Sequence, residues 1–246
     1  MRRHAAAFAA AVLATVAATP LAASAHGWSW GPGAGTTGDG RKVTQPRAVG
    51  EWKAVRLEGS LDVRVKVGAP ASVAVTIDEN LQPLVETRLE GDTLVIRTTG
   101  PMHCQGESLV ELSTPSLRGF AIEGSGDVRI EGGQGDLQLS VSGSGDLAWK
   151  GTAGKLQVDV EGSGDVTLAG AAVEARLEVA GSGDIHAREL SAGSATVGVA
   201  GSGDVEITLS GGALSAEVAG SGDVRWYGTA QVVKASASGS GEIAHR

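Results

Sequence analysis

Cysteine, proline and aromatic residues are scarce in this 246-residue chain: one Cys, seven Pro, and Phe, Trp and Tyr at 3% together. The lone Cys104 excludes an internal disulfide and reads as a buried, inert thiol. No Cys-x-x-Cys pair, no paired His on one helix and no Ser/His/Asp order is present, so zinc-site and nucleophile-triad chemistry lack a carrier. Positive charge is also short, with 20 Lys and Arg against 28 Asp and Glu and a formal charge of −8. Setting aside the first 25 residues, which hold Arg2 and Arg3 but no acid, leaves 18 against 28, or −10. A nucleic-acid partner is therefore not expected. The longest apolar run, Ala5 to Ala18, is short of the ~20 residues a spanning helix needs, so the mature chain is expected to have no transmembrane segment.

Two things are abundant: glycine, at 38 residues, and small aliphatic side chains within a hydrophobic content of 41%. That composition suits a thin core of Val, Leu, Ile and Ala. Met1 to Ala25 has the three parts of a secretory signal peptide: Arg2-Arg3-His4, the apolar run, and Ala23-Ser24-Ala25 as a small-x-small cleavage site. The mature protein is thus expected to start at His26 and to reach the periplasm, the outer cell surface or the medium. With His26 and not Cys directly after the cleavage site, a lipoprotein anchor is not expected. Residues 26–45 lack hydrophobic periodicity and read as a flexible Gly/Trp-rich leader, and residues 46–246 read as one repeat domain.

Short alternating runs start at Ala54-Val55-Arg56-Leu57 and continue with Val63 to Val67, Val73 to Ile77 and Leu94 to Arg97. Gly, Pro and Asp separate them, as expected for strands. Gly-Ser-Gly-Asp then recurs: Gly124-Ser125-Gly126-Asp127, Gly143 to Asp146, Gly162 to Asp165, Gly181 to Asp184, Gly201 to Asp204 and Gly220 to Asp223, followed by Gly-Ser-Gly-Glu from Gly239 to Glu242. The intervals are 19, 19, 19, 20, 19 and 19 residues. A fixed period of this size marks a repeat architecture.

Four residues after each first glycine stands an aliphatic: Val128, Leu147, Val166, Ile185, Val205, Val224 and Ile243. A second alternating run follows in each repeat, from Leu137/Leu139/Val141 to Val233/Ala235/Ala237. Each repeat is thus predicted to supply two strands and two turns, with the extra residue of the 20-residue interval in a turn. Two strands cannot bury their own apolar faces, so successive repeats must stack at ~4.8 Å. The expected fold is all-β: a right-handed parallel β-helix, or β-solenoid, of ~19-residue coils.

The residues resemble a known family, the bacterial putative autotransporter-adhesin head domain, or head GIN domain. The resemblance spans Pro46 to Arg246. It rests on the Gly-Ser-Gly-Asp ladder, the opening Trp52 to Val63, Asp78-Glu79-Asn80-Leu81, Gly91 to Ile96, and the closing Gly220-Ser221-Gly222-Asp223-Val224-Arg225-Trp226-Tyr227-Gly228. It implies a pectin-lyase-like β-helix with Gly-Ser-Gly at tight turns, a role in cell-surface adhesion, and no catalytic residue. A departure from the family is that no membrane-anchoring or translocating C-terminal segment is evident before His245-Arg246, so an autotransporter is not expected from the resemblance.

The aspartates of the ladder, with Glu242, should form a carboxylate column along one corner, capping turns in the manner of Asx turns. Calcium is the alternative, but it wants six to eight oxygens and one carboxylate per coil is a poor supply. No cofactor or metal is expected. Gly33-Ala34-Gly35-Thr36-Thr37-Gly38 fits the dinucleotide glycine pattern without a strand before it, and Gly27-Trp28-Ser29-Trp30-Gly31 fits the nucleophile-elbow pattern without its strand and helix. An N-terminal His26 could bind copper if His103, His186 or His245 converged on it, and nothing in the spacing brings one near. The expected function is binding of an extracellular or envelope ligand (carbohydrate, matrix or envelope component), with homo-oligomerisation open. Alternatives are a polysaccharide-active β-helix lyase or hydrolase and a passive envelope structural protein.

Overall fold

A computed structural model of the chain describes residues 35–246. The signal-peptide segment, His26, the Gly27 to Gly31 match and the leader to residue 34 lie outside the described residues. In chain order the strands are β1 (Thr36–Thr37), β2 (Lys42–Pro46), β3 (Ala54–Gly59), β4 (Asp62–Val67), β5 (Ser72–Asp78), β6 (Val85–Glu90), β7 (Thr93–Thr98), β8 (Met102–His103), β9 (Leu109–Thr114), β10 (Gly119–Gly124), β11 (Val128–Glu131), β12 (Leu137–Gly143), β13 (Leu147–Gly162), β14 (Val166–Gly181), β15 (Ile185–Gly201), β16 (Val205–Gly220), β17 (Val224–Gly239) and β18 (Ile243–His245). One 3-10 turn, Glu79–Leu84, interrupts them. From β10 onward every pairing is parallel, coil upon coil, with local register shifts from β14 to β17, making a β-solenoid of about seven turns.

Strand alternation sets the core. Val63, Val128, Leu147, Val166, Ile185, Val205 and Val224 face one another in consecutive coils, each at most 1% exposed. Burying such a side chain stabilises the fold by roughly 1.5–3 kcal/mol. The residues between them, such as Arg64, Arg129 and Thr167, face solvent.

Two expectations are corrected within the coil. Each complete coil from β13 on is one bent strand of 16 or 17 residues, where the alternation suggests two strands with a turn between. Between β13 and β14 the parallel ladder runs through the bend because Gly151 and Gly170 stack there. A Cβ on Gly170 would lie 1.9 Å from the Gly151 carbonyl oxygen. The extra residue of the 20-residue coil is taken up in the strand ahead of the bend, where the pairing shifts between Thr167–His186 and Ala169–Glu189. This shift sets Leu190, fully buried, opposite Gly170, so an aliphatic side chain fills the bend where glycines lined it.

The last coil also departs from the pattern. Val233, Ala235 and Ala237, read as inward, are exposed. Ala235 and Ala237 face Ala216 and Val218 in register. However, β18 pairs only with Val224–Trp226, so among the described residues no strand lies over them. Trp226 is covered instead by the His245 ring, stacked at 4.0 Å.

At the other end the parallel ladder is closed by antiparallel strands. β9 pairs parallel with β4 but antiparallel with β5, and β5 antiparallel with β2. Pro46 at the end of β2 removes a donor from this edge, which blunts it against further pairing. Residues 35–46 are therefore anchored to the domain, although their composition reads as leader. Cys104 is half-buried and packs against the core.

The anchor centres on Asp78, which is fully buried. Its carboxylate accepts the N–H groups of Gly40 at 3.0 Å and Gln105 at 2.9 Å, and the Lys42 ammonium at 3.1 Å. Gly38 packs so tightly on it that a Cβ there would lie 2.3 Å from the carboxylate oxygen. Burial pushes the Asp78 carboxyl up, but the Gln105 N–H, the Lys42 ammonium and the Gly40 N–H outweigh it and hold the pKa below the ordinary carboxylate value.

Two predictions follow from this packing. Val166→Asp should destabilise by several kcal/mol, against a typical total of ~5–15, while Arg129→Asp should be tolerated; equal melting temperatures would refute the register. For Asp78 the folded pKa is below the unfolded one, so its stabilisation is complete above the unfolded value of about 4 and disappears as pH falls through the folded value. Amide protection in residues 42–45, read by hydrogen exchange, should fall in that acidic window before protection in β13–β16 does. Asp78→Asn should lose it at neutral pH, because the amide replaces an acceptor facing Lys42 and Gln105.

Candidate functional site

Each Gly-Ser-Gly-Asp corner must find partners for its backbone groups, since its second glycine is buried in the stack. The N–H groups of Ser144 and Gly145 both donate to the Gly124 carbonyl, at 2.9 and 3.2 Å, and the Val128 N–H donates to the Asp146 carbonyl at 2.8 Å. The remaining N–H, that of the aspartate, donates to the aspartate carboxylate one coil earlier. The series runs Asp127 to Asp62 (3.1 Å), Asp146 to Asp127 (3.3 Å), Asp165 to Asp146 (2.9 Å), Asp184 to Asp165 (2.9 Å), Asp204 to Asp184 (2.7 Å), Asp223 to Asp204 (2.8 Å) and Glu242 to Asp223 (2.8 Å). An Asx turn would bond within its own coil; here every bond crosses to the next.

The glycines are set by the same closeness. The first glycines, Gly124, Gly143, Gly162, Gly181, Gly201, Gly220 and Gly239, have φ between 118° and 146°. A Cβ on Gly143 would lie 2.2 Å from the Gly124 oxygen, and one on Gly145 2.4 Å from the Gly126 oxygen. Ser125 and its counterparts are exposed. Sequence reasoning missed the first rung: Gly124 and Gly126 sit over Gly59 and Leu61, and Asp62 is the first acceptor. The clue was Gly59-Ser60-Leu61-Asp62, which matches the repeat at three of four positions, but the 65-residue separation of Asp62 and Asp127 hid it.

Unit charges ~4.8 Å apart repel by roughly 0.9 kcal/mol per neighbouring pair in water. A hydrogen bond to a charged acceptor contributes ~1.5–3 kcal/mol, so the ladder is a net gain. Near the C-terminal end Arg225 also bridges Asp204 and Asp223 at 2.9 and 2.8 Å. The Asp204 hydrogen bond, with Asp223 and Glu206 nearby, holds the Arg225 guanidinium above its ordinary pKa. Among the described residues no group of three or more His, Cys, Asp and Glu side chains converges as a metal site. His103, His186 and His245 stand apart, on β8, β15 and β18.

On either side of the corner lie two outer faces. The leading face, just after each aspartate, carries Arg64, Lys66, Arg129, Glu131, Lys150, His186 and Arg225. At its N-terminal end a depression of about 170 Å³ is lined by Asp62, Arg64, Glu107, Asp127 and Arg129. On the trailing face, just before each Gly-Ser-Gly, cations are matched by acids: Arg56 by Glu58 and Glu90, Arg176 by Glu178, and Lys234 by Glu217. Glu123, Asp159 and Glu161 add to its carboxylates. Its C-terminal half holds a shallow trough of about 470 Å³ lined by Glu178, Ala180, Gly198, Ala200, Glu217 and Ala219, among others.

Because only the acceptor oxygen matters at each rung, Asp165→Asn should leave the melting temperature nearly unchanged or slightly raised. Asp165→Ala should cost about 1 kcal/mol by stranding the Asp184 N–H. Equal thermal melts for the two variants would show the ladder bond to be dispensable.

Comparison with known proteins agrees with this architecture. Residues 51–230 match the family described as "Putative auto-transporter adhesin, head GIN domain". A crystal structure of a putative adhesin from Bacteroides fragilis is similar, with a TM-score of 0.81 at 24% identity, over 86% of this chain and all of that one. A putative adhesin from Parabacteroides distasonis superposes with a TM-score of 0.66 at 25% identity, over 87% of this chain and all of that one. A putative lipid binding protein from the same species has a TM-score of 0.66 at 22% identity, over 85% of this chain and 98% of that one. No curated protein matches the chain significantly. With the family match covering most of the solenoid and its N-terminal cap, this chain belongs to the head GIN domain family of putative auto-transporter adhesins.

Proposed function

We propose that the protein is an exported, non-catalytic binding protein that recognises a carbohydrate, matrix or envelope component through the outer faces of its solenoid. One observation carries the reading. The carboxylate column, which is the recurrent ionisable feature of the chain, is engaged rung by rung as acceptor for backbone N–H groups. The outward side chains, by contrast, repeat at a fixed spacing and suit several weak contacts made together. The adhesin description of the family supports binding outside the cell, and the signal-peptide pattern of Met1 to Ala25 supports export. Among the described residues no helix is long and apolar enough to cross a membrane.

The test is an array of polysaccharides and matrix proteins probed with purified mature protein, run alongside assays for reducing and unsaturated sugar ends. Retention on at least one ligand class without release of ends is expected. Depolymerisation that Asp165→Asn abolishes would establish the lyase or hydrolase alternative, and retention on nothing would point to a passive structural role.

A further inference from the structure

Two glycines on the trailing face have no explanation within the chain. Gly119 and Gly198 are the strand glycines, among the described residues, whose φ is outside the left-handed region and whose added Cβ would meet only ordinary contacts. For Gly119 the nearest atom would be the Gln138 oxygen at 3.5 Å, and for Gly198 the Glu178 Cγ at 3.8 Å. Gly198 sits between the inward Val197 and Val199, and Gly119 opens its strand just before the inward Phe120, so both face outward. A glycine inside a strand weakens it, and one the backbone does not need leaves room for something to approach the sheet. Each lies in a depression: Gly198 in the trough of about 470 Å³, and Gly119 in one of about 380 Å³ that also includes Arg56, Ala121, Glu123, Gln138 and Ser140.

The two depressions belong to one surface. In-register positions run from Gly119 and Ala121 on β10, through Gln138 and Ser140 on β12, Gln157 and Asp159 on β13 and Arg176 and Glu178 on β14, to Thr196 and Gly198 on β15. Four coil steps separate the strands that bear the glycines, about 19 Å at the usual spacing. Next to Gly198 the Cβ-only side chains of Ala180, Ala200 and Ala219 make a low floor, and Glu178 and Glu217 rise on the coils to either side.

We propose that this face binds a neutral polysaccharide segment lying along the solenoid axis, with one subsite over Gly198 and a second over Gly119. The proposal names the ligand class and face for the binding function above and rests on that reading. The charge of the face narrows the class: among the described residues, its cations Arg56, Lys155, Arg176 and Lys234 each lie within ion-pair distance of a carboxylate, and Glu123, Asp159 and Glu161 are in surplus. Such a surface repels an anionic polymer and offers acceptors to hydroxyl donors, while the alanine and glycine floor takes the C–H side of a sugar ring. With no aromatic platform on this face among the described residues, each subsite is weak, and binding depends on both being filled by one chain.

The test uses mature protein and immobilised dextran, mannan and β-glucan, with alginate and poly-lysine as charged comparisons. Retention on at least one neutral polysaccharide is expected, and it should be insensitive to salt, since no ion pair forms. Gly198→Val should reduce it at least tenfold, and Gly119→Val should reduce it severalfold. Both variants should melt at the wild-type temperature or slightly above, because valine suits an extended strand better than glycine. Thr167→Val, on the leading face, should bind as wild type does. Undiminished binding by Gly198→Val would overturn this site while leaving the wider binding function intact, as would retention only on alginate or only, in a salt-sensitive way, on poly-lysine. Retention of wild type on none of the carbohydrates or matrix proteins would overturn both.

Discussion

The structure depends on how closely one coil corner lies upon the next. At Gly143 and Gly145 the preceding carbonyls occupy the space a side chain would need, at 2.2 and 2.4 Å from a would-be Cβ. That approach lets Ser and Gly N–H groups share one carbonyl and lets the aspartate N–H reach a carboxylate in the coil before. Loss of either glycine would open the corner, and with it the register that keeps Val166, Ile185 and Val205 above one another. The aliphatic core supplies most of the stabilisation, but the corner decides which side chains meet in it.

This hierarchy explains what could be read in the sequence. A corner requirement that repeats every coil is written as a fixed period, and inward positions follow it by strand alternation, so Val128, Leu147 and Val166 were identifiable as core without coordinates. The bend was less legible. Gly132, Gly151 and Gly170 stack there in three coils, but Leu190 then takes the position, and no common residue marks the place. The cap was hidden for a different reason. Asp78 is bound by Gly40, Lys42 and Gln105, partners 27 to 38 residues away, and nothing in a local pattern announces such a meeting. Polar Lys42–Pro46 resembles a leader because its stability comes from antiparallel pairing with β5, not from an apolar face of its own.

The acid column shows how a charged repeat can be mistaken for a site. Aligned carboxylates suggest a cation or a catalytic cluster, yet each aspartate of the column has a backbone donor, and Arg225 adds a counter-charge to two of them. A linear ladder keeps the carboxylates one coil apart, whereas a metal site or an acid/base pair needs them to converge from different directions. The repetition that makes the column conspicuous is what ties it to the backbone.

Function is then left to positions with no part in the stack. Along the trailing face, the row that includes Gly198 holds Ala121, Ser140, Asp159, Glu178, Glu217 and Ser236 in other coils. Side chains that differ so much in size and charge are tolerated because none enters the core or the corner. The fold therefore sets spacing and direction, and the outward residues set chemistry. In such a row a glycine is informative because the backbone has no use for it: at a corner glycine reports the approach of the next coil, and at an outward strand position the same reasoning points to something outside the chain.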